Sequence, residues 1–283
     1  MPCCVDLHVH TLYSDGSDTP ESILEQAACK KIQFLSFTDH DSMYWLKDDS
    51  VEYRRNAASQ GIQLIRGIEL STRDTETGKK AHLLAYWPGD VPFKFGNVSL
   101  IVSATRKMRN NIALQQIEML KTKGYAINYE DVLKQTRDGQ IFKHHIMLEL
   151  VNHGYAKKMN GSYYNRFFGK NGELSIKKAY PDTIEVLRAI HEDGGIAVLA
   201  HPGENNNHAI IKKLKDDGLS GVECYHPSHS EDYRKIIRKI AIDNELFLTA
   251  GSDYHGKYYR SGILGNYIMT DSEMSKIICA FSL

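Results

Sequence analysis

Short runs of β-forming residues alternate with helical patterns along most of the chain, and this alternation constrains the fold more than any other feature. The predicted strands cover seven runs: residues 3–10, 32–39, 62–70, 82–87, 195–201, 221–225 and 246–253. The first helix is predicted to start at Pro20, because Thr19 can cap it and Glu21 makes its first turn acidic. Strands that alternate with helices are typical of a barrel-like α/β fold.

The alternation breaks after the fourth predicted strand. A long helical stretch, SLIVSATRKMRNNIALQQIEMLKTKG, ends at Gly124. YEDVLKQT and FKHHIMLELVNHG indicate two further helices, and YYNRFFGKNG is predicted to be an aromatic loop that contains glycine. We therefore predict a helical insertion at residues 96–180 that covers one end of a barrel.

This division of the chain separates basic from acidic residues. Residues 96–180 carry 14 Lys and Arg against 6 Asp and Glu, although the whole chain has 35 of each kind. The barrel, predicted from residues 1–95 and 181–283, is correspondingly acidic. A basic cover on an acidic body would suit an anionic substrate, but a solvated basic face would give the same count.

The composition and the cysteines narrow the class of protein. Hydrophobic residues make up 42% of the chain and charged residues 25%, which is ordinary for a soluble globular protein. No apolar run approaches the ~18 residues of a membrane span, and MPCCVDLHVH lacks a signal-peptide pattern. The five cysteines form no CxxC pair, so we expect reduced thiols. We expect a cytoplasmic protein with no membrane contact and no obligate protein partner.

Histidines and carboxylates stand at the ends of five predicted strands. His8 and His10 are two residues apart in the first strand, so both side chains leave the same face. The same spacing recurs after the last strand, and single residues end the strands between; the set is His8, His10, His40, Glu69, His201, Asp253 and His255. His82 does not fit this pattern, because it begins its predicted strand.

The carboxyl ends of the strands are where α/β barrels build their active sites. Asp15, in the first loop, is within reach of the same end. Buried imidazoles and carboxylates brought together there would be costly unless divalent cations compensate their charge. The joint pattern therefore predicts a metal site.

Five motifs carry a family resemblance: DLHVHTLYSDG, FTDHD, GIELS, VLAHPG and GSDYHG. In this order and spacing they resemble the polymerase and histidinol phosphatase (PHP) superfamily of metal-dependent phosphoesterases, over nearly the whole chain. RKMRNNI and KHHIMLELVNHG are similar to the insertion of the branch that acts on nucleotides and short oligoribonucleotides. That branch includes a nucleoside 3′,5′-bisphosphate phosphatase and a 5′-to-3′ exoribonuclease. The resemblance implies an α/β fold, a distorted seven-stranded β/α barrel with a helical insertion.

The resemblance also implies a set of metal ligands. Glu69 would bridge two ions, and Asp15 stands where histidinol phosphatase relatives often carry His, which favours the nucleotide branch. Two or three divalent cations are expected; manganese, zinc or iron suits the imidazole-rich set better than magnesium, which remains a candidate. The implied ligands are His8, His10, Asp15, His40, Glu69, His82, His201, Asp253 and His255.

Three of these ligands are carboxylates, which together carry a charge of −3. Two divalent cations would carry +4 and three would carry +6, so the loaded cluster would stay positive and could hold a phosphate. A metal-activated hydroxide would attack phosphorus. The implied catalytic residues are Asp15, Glu69 and His229, and His229 could bind phosphate or protonate the leaving group.

Four residues of the insertion are predicted to bind substrate. Arg106 and Arg109 are three apart on one helix and share a face. Lys143 and His145 stand where the resembling branch usually has Arg-Pro-His, although Lys cannot form the bidentate phosphate contact of Arg. Glu223 is interpreted as a hydrogen-bond partner rather than a ligand, and the remaining histidines as ordinary residues: His144, His153, His191, His208 and His226.

These observations predict a metal-dependent phosphoesterase. Its substrate would be a small phosphorylated molecule: a nucleotide such as AMP, a nucleoside 3′,5′-bisphosphate, or the end of a short RNA. Other interpretations are a phosphatase for histidinol phosphate or a sugar phosphate, and a catalytically idle metal-binding regulatory domain. A DNA polymerase accessory domain is a further alternative, but the chain contains no polymerase sequence.

Overall fold

A computed structural model describes residues 3–47, 50–89, 96–258 and 262–282. Eight strands lie in these ranges, and they form one sheet. The strands are β1 (Cys3–Val9), β2 (Phe34–Phe37), β3 (Gln63–Arg73), β4 (Lys80–Trp87), β5 (Ile196–Leu199), β6 (Gly221–Tyr225), β7 (Phe247–Ala250) and β8 (Tyr267–Met269).

The sheet curls into a nearly closed barrel with the strand order β7-β6-β5-β4-β3-β2-β1-β8. Closure occurs where β1 meets the segment after β7: Asp253 N donates to His8 O at 2.9 Å, and His10 N donates to Tyr254 O at 2.8 Å. The predicted α/β barrel is confirmed, with eight strands instead of seven. The additional strand, β8, pairs antiparallel with β1 and has only three residues, too few to show a pattern in the sequence.

β4 runs antiparallel to both of its neighbours, β3 and β5. In this register Ser71 near the end of β3 lies opposite His82 near the start of β4. A residue that begins an antiparallel strand lies at the same end of the sheet as residues that finish its neighbour. His82 therefore reaches the barrel end where β1, β2 and β3 finish, which explains its position in the sequence.

The described ranges contain ten α-helices. The predicted first helix is confirmed, because Thr19 caps α1 by accepting a hydrogen bond from Ser22 N. The helices are α1 (Pro20–Cys29), α2 (Val51–Ser59), α3 (Asn97–Thr122), α4 (Tyr129–Lys134), α5 (Lys143–Asn152), α6 (Ser162–Phe168), α7 (Thr183–Glu192), α8 (Ile211–Asp216), α9 (Glu231–Asp243) and α10 (Asp271–Phe281). Within the described ranges, no helix combines the length and the apolar character needed to cross a membrane.

Helices α3 to α6 share a hydrophobic core that is separate from the barrel core. Ile117 and Leu120 of α3 belong to this second core, whereas Val98 and Val102, earlier in the same helix, pack into the barrel core. The predicted aromatic loop is wrong, because its first part forms α6. Its aromatic residues repeat at helical spacing, and Phe167 is fully buried in the second core.

Candidate functional site

Glu69 lies at the centre of a group of histidines at the barrel end described above. Its Oε1 is 2.8 Å from His82 Nδ1 and 2.9 Å from His201 Nε2. Its Oε2 is 2.9 Å from His40 Nδ1. The same oxygen is 3.2 Å from the Nε2 atoms of both His8 and His10. The fully buried carboxylate of Glu69 therefore faces histidines that lie in, or shortly after, four strands: β1, β2, β4 and β5.

Two aspartates complete this group. Asp253 Oδ1 is 3.1 Å from His10 Nε2 and 3.4 Å from His8 Nε2. Asp15 Oδ1 is 3.3 Å from His255 Nε2. The structure thus brings together all nine residues that the sequence analysis put forward as ligands. We call these nine residues the ligand cluster.

The donor atoms of the ligand cluster form overlapping groups, each within 4.8 Å, that could hold a metal ion. Ligands bound about 2.1 Å from one ion lie roughly 3 Å apart, the range of the contacts above. His40 Nδ1 and Glu69 Oε2 are buried and lie 2.9 Å apart, but they are not aligned for a hydrogen bond. No other described atom forms a hydrogen bond with either of them. Such converging, unsatisfied donors fit divalent cations. Three of the groups are His10, Asp15, His40 and His255; His8, His10, Glu69 and Asp253; and His40, Glu69 and His82.

The electrostatics of the ligand cluster favour cation binding. Burial alone would raise the pKa of Glu69, but the neighbouring His40, His8 and His82 hold it well below its usual range. Burial opposes protonation of His10, yet the carboxylates of Asp253 and Glu69 beside its ring raise its pKa to about 10. The carboxylates of Asp15, Glu69 and Asp253 therefore stay ionised inside the protein, and His10 holds positive charge that a divalent cation can replace.

Glu223 supports this cluster from behind. It is fully buried at the centre of β6, its Oε1 is 3.0 Å from His8 Nδ1, and its Oε2 accepts from His201 N at 2.8 Å. A carboxylate on the far nitrogen of a histidine fixes the ring and its tautomer. These contacts match the hydrogen-bonding role expected from the sequence.

His226 lies at the site, although its sequence context predicts an ordinary residue. It directly follows β6, it is 2% exposed, and its Nε2 lies 3.5 Å from Asp253 Oδ2. Its position after a strand end was a signal in the sequence. That signal was weak on its own, because five histidines lie outside the implied ligands and the predicted catalytic and substrate residues.

A cavity of about 190 Å³ adjoins the ligand cluster and shares Asp15, His40 and His82 with it. Its remaining wall comes mostly from α3, α5 and the segment before α7. We call it the basic cavity, because four cationic side chains line it: Lys80, Arg109, Lys143 and Lys178. Lys80 and Lys178 were not predicted, because each stands in a Lys-Lys pair that resembles an ordinary solvated surface charge.

Burial, and then crowding of like charges, lowers the pKa of two of these lysines. Burial, followed by repulsion from Lys80 and Arg109, lowers the pKa of Lys143. Burial and then the charges of Arg109 and Lys143 lower the pKa of Lys178 to about 7. Cations forced together in this way favour an anion between them.

The predicted substrate residues of the insertion have different positions. Lys143 begins α5, lines the basic cavity, and donates from Nζ to Phe168 O at 3.1 Å. Arg109 also lines the cavity, although its guanidinium already contacts Asp41. Arg106, one helical turn before Arg109, does not line the cavity. Asp138 on a neighbouring loop binds its guanidinium instead. The prediction that Arg106 contacts substrate is therefore not supported.

His145 and His229 are engaged by the backbone. His145 lies in the first turn of α5, and its Nδ1 accepts from Phe142 N at 3.0 Å. His229 Nε2 accepts from Gly203 N at 3.0 Å, and its Nδ1 lies 2.9 Å from Cys224 O. Burial lowers the pKa of His229 to about 4. With both nitrogens occupied, His229 lacks a free group for the predicted contact with phosphate or a leaving group, and His145 acts as a helix cap.

Comparisons with known proteins agree with this geometry. A family model for the PHP domain matches residues 6–241. The phosphoribosyl 1,2-cyclic phosphate 1,2-diphosphodiesterase of Eggerthella lenta is 34% identical over 256 residues, which cover 90% of this chain and 95% of that protein. The 3′,5′-nucleoside bisphosphate phosphatase of Chromobacterium violaceum is 28% identical over 259 residues, covering 89% and 87%.

A solved structure shows the same fold. The crystal structure of a protein from Bifidobacterium adolescentis, described as a metal-dependent phosphoesterase, matches with a TM-score of 0.82 and 28% identity. The match covers 97% of this chain and 95% of that one. The family model spans well over half of the present chain, and the ligand cluster lies within the same barrel. The chain therefore belongs to the PHP domain family, and it is a metal-dependent phosphoesterase.

Proposed function

We propose that the enzyme hydrolyses a phosphoester in a small substrate that carries a second phosphate group. One observation carries this proposal: the basic cavity shares Asp15, His40 and His82 with the ligand cluster. A substrate whose reacting phosphate lies on the cluster can therefore place another anion among the four cations. Phosphorylated nucleotides and phosphorylated ribose derivatives belong to this class.

The ligand cluster, including Glu69, would hold two or three divalent cations. Manganese, zinc or iron fits six histidines and three carboxylates better than magnesium, which prefers oxygen ligands. When bound, such cations supply a water nucleophile of lowered pKa and neutralise charge on the phosphoryl oxygens. Glu223 would keep the rings of His8 and the backbone at His201 in place throughout the reaction.

The helical insertion, residues 96–180, would then form the specificity wall of the site. Arg109 of α3 and Lys143 of α5 reach the basic cavity from this segment. The volume of about 190 Å³ is below the ~300 Å³ at which ordinary ligand pockets begin, so the cavity fits a phosphate-bearing part of the substrate and not a whole nucleotide.

The two relatives support a substrate with two phosphates. The E. lenta relative is named for a substrate with a phosphoribosyl group and a cyclic phosphate, and the C. violaceum relative for a nucleoside bisphosphate. We propose the same class for this chain, in the form of a phosphorylated ribose cyclic phosphate or a nucleoside 3′,5′-bisphosphate. The basic cavity would bind the phosphate that is not cleaved.

The experiment is a panel of substrates in matched pairs, assayed with manganese, zinc, iron and magnesium. It compares a nucleoside 3′,5′-bisphosphate with AMP, and ribose cyclic phosphate with and without a 5-phosphate; histidinol phosphate is a separate control. The doubly phosphorylated member of each pair should have a kcat/KM at least tenfold higher. Equal kcat/KM values within both pairs would contradict the role of the second phosphate.

A second candidate activity is removal of nucleotides from the end of a short RNA. A larger cavity of about 590 Å³ lies against the ligand cluster and includes Glu204, His226 and Ser228 in its wall. A polynucleotide could continue through this cavity while its terminal phosphate occupies the basic one. A 5′-phosphorylated short RNA should then be shortened, whereas a circular RNA of the same sequence should stay intact. Rapid cutting of the circle would exclude end-specific cleavage.

A further inference from the structure

One ring nitrogen of His226 is hydrogen-bonded, and the other has no hydrogen-bond partner among the described residues. Ser228 N donates to its Nδ1 at 3.1 Å, and Ser228 Oγ lies 2.8 Å from the same atom. Nε2 is buried, and among the described residues it has no hydrogen-bond partner. The contact of Nε2 with Asp253 Oδ2, at 3.5 Å, is too long to satisfy it.

The hydrogen bond from Ser228 decides which nitrogen of His226 carries the proton. A ring nitrogen that accepts from a backbone N–H has its lone pair engaged and cannot itself be protonated. The proton of His226 therefore lies on Nε2, the atom that faces the site. His226 also lies in two groups that could hold a metal ion, one with His8 and Glu223 and one with Glu204 and Asp253. A proton on Nε2 excludes coordination through that atom, so the tautomer separates hydrogen-bond donation from metal binding.

The direction of Nε2 shows what this proton can reach. His226 lines the larger cavity together with His201, Glu204 and Ser228, next to Asp253 of the ligand cluster. A phosphoryl group placed on the cluster from this side would have a non-bridging oxygen near the free N–H. Buried donors without a partner are rare, and a ligand oxygen would satisfy this one.

We propose that His226 is a further catalytic residue, whose Nε2–H donates a hydrogen bond to a non-bridging oxygen of the phosphoryl group under attack. The residue keeps its proton throughout, so no bond to His226 forms or breaks. The hydrogen bond becomes stronger as negative charge develops on that oxygen in the transition state. This inference rests on the proposed function, because it requires a phosphoester at the ligand cluster.

Two substitutions separate this role from metal binding and from a purely structural role. The amide of Asn in His226→Asn can replace Nδ1 as an acceptor for Ser228 N but does not extend to the position of Nε2. His226→Gln can place an amide N–H near the position of Nε2. His191→Asn, at an exposed histidine that contacts Gly218 O, is the matched control.

The assay uses the panel substrate that the wild-type enzyme hydrolyses best. We expect His226→Asn to lose about 10²–10³ in kcat with little change in KM, as for loss of one transition-state donor. His226→Gln should recover activity to within about tenfold of wild type. Metal content and Tm should match wild type in both variants. Unchanged kcat in His226→Asn overturns the proposal, and loss of a metal equivalent identifies His226 as a ligand instead.

A measurement on the wild-type holoenzyme covers the case in which the variants do not fold. With ¹⁵N-labelled histidine, the His226 signal should show a protonated Nε2 and an unprotonated Nδ1. A metal-coordinated or unprotonated Nε2 overturns the proposal. A wild-type enzyme that is loaded with metal but hydrolyses no phosphoester refutes the proposed function and this inference together. An active wild type with an unaffected His226→Asn refutes this inference alone.

Discussion

The guanidinium of Arg109 donates two hydrogen bonds to Asp41 Oδ2, one of 2.7 Å and one of 3.1 Å. A third goes to Ser71 Oγ at 2.6 Å, while Asp41 Oδ1 accepts from Ser71 N at 3.0 Å. Asp41 directly follows His40 of the ligand cluster, and Arg109 lies on the long helix α3. This buried ion pair connects the helical segment with the strand ends that carry the cluster.

Removing one partner of this pair should be strongly destabilising. In Arg109→Met the carboxylate of Asp41 stays buried without its counter-charge, which typically costs about 3–5 kcal/mol. We expect that decrease in the free energy of unfolding, measured by urea denaturation of the metal-loaded protein. The double variant with Asp41→Asn should regain part of the loss. A single-variant effect below about 1 kcal/mol would show that the pair is not a main connection.

Metal dependence follows from the ligand cluster. The purified enzyme should contain at least two equivalents of transition metal per chain, and chelation should abolish hydrolysis. His10→Ala and Asp253→Ala each remove a proposed ligand and should reduce turnover by orders of magnitude while lowering metal content. Elemental analysis and kcat on the same samples provide the check. An active protein free of divalent metal would contradict the whole assignment.

Lys143 and Arg106 make a matched pair for testing the basic cavity. Lys143→Ala should leave metal content unchanged and weaken binding of the second phosphate by about 1.5–3 kcal/mol, the scale of a charge-assisted hydrogen bond. This corresponds to a loss of roughly tenfold to hundredfold in kcat/KM for the doubly phosphorylated substrate. Lys143→Arg should stay active. Arg106→Ala removes a charge outside the cavity and should not change kcat/KM; equal effects of the two alanine variants would exclude a specific role for Lys143.

Lys178 should give the binding of the second phosphate a pH dependence near neutrality. Its pKa of about 7 means that the side chain is charged below pH 7 and becomes neutral above it. Attraction for an anion is therefore lost as pH rises, and KM for the doubly phosphorylated substrate should increase between pH 6 and pH 8. In Lys178→Met this contribution should disappear. A KM profile that is identical in the variant and the wild type would exclude Lys178 as its source.

Lys178 also gives the free energy of unfolding a pH dependence, which is opposite in direction to that of phosphate binding. The unfolded chain protonates Lys178 below its ordinary pKa of 10.5, whereas the folded protein does so only near 7. The unfolded state thus binds more protons in this interval, and this group lowers stability as pH falls from about 10.5 to 7. Lys178→Met should therefore gain stability relative to wild type as pH decreases through that window. Urea denaturation at pH 10 and at pH 7.5 measures the difference, and a constant difference would contradict the assigned pKa.

Local pattern in the sequence was sufficient for the barrel and for most of the ligand cluster. The two-residue spacing of His8 and His10 places both rings on one face wherever that strand packs. Glu69 and His201 stand at the ends of predicted apolar strands, and parallel strands bring such ends to one side of a sheet; in the structure β3 continues past Glu69 to Arg73. His82 needed the tertiary structure for its explanation, because only the pairing of β4 shows that this strand runs in the opposite direction.

Only the tertiary structure decided which side chains surround the basic cavity and which nitrogens are free. Lys80 and Lys178 are far apart in the sequence, and packing of separate segments brings them to the same wall. Arg106 and Arg109 share a helix face, but Asp138 and Asp41 direct them to different places. His226 differs from His229 because the backbone binds one ring nitrogen of the first and both of the second. Periodicity determines the face of an element, whereas the partners of a polar atom depend on residues that folding brings from elsewhere in the chain.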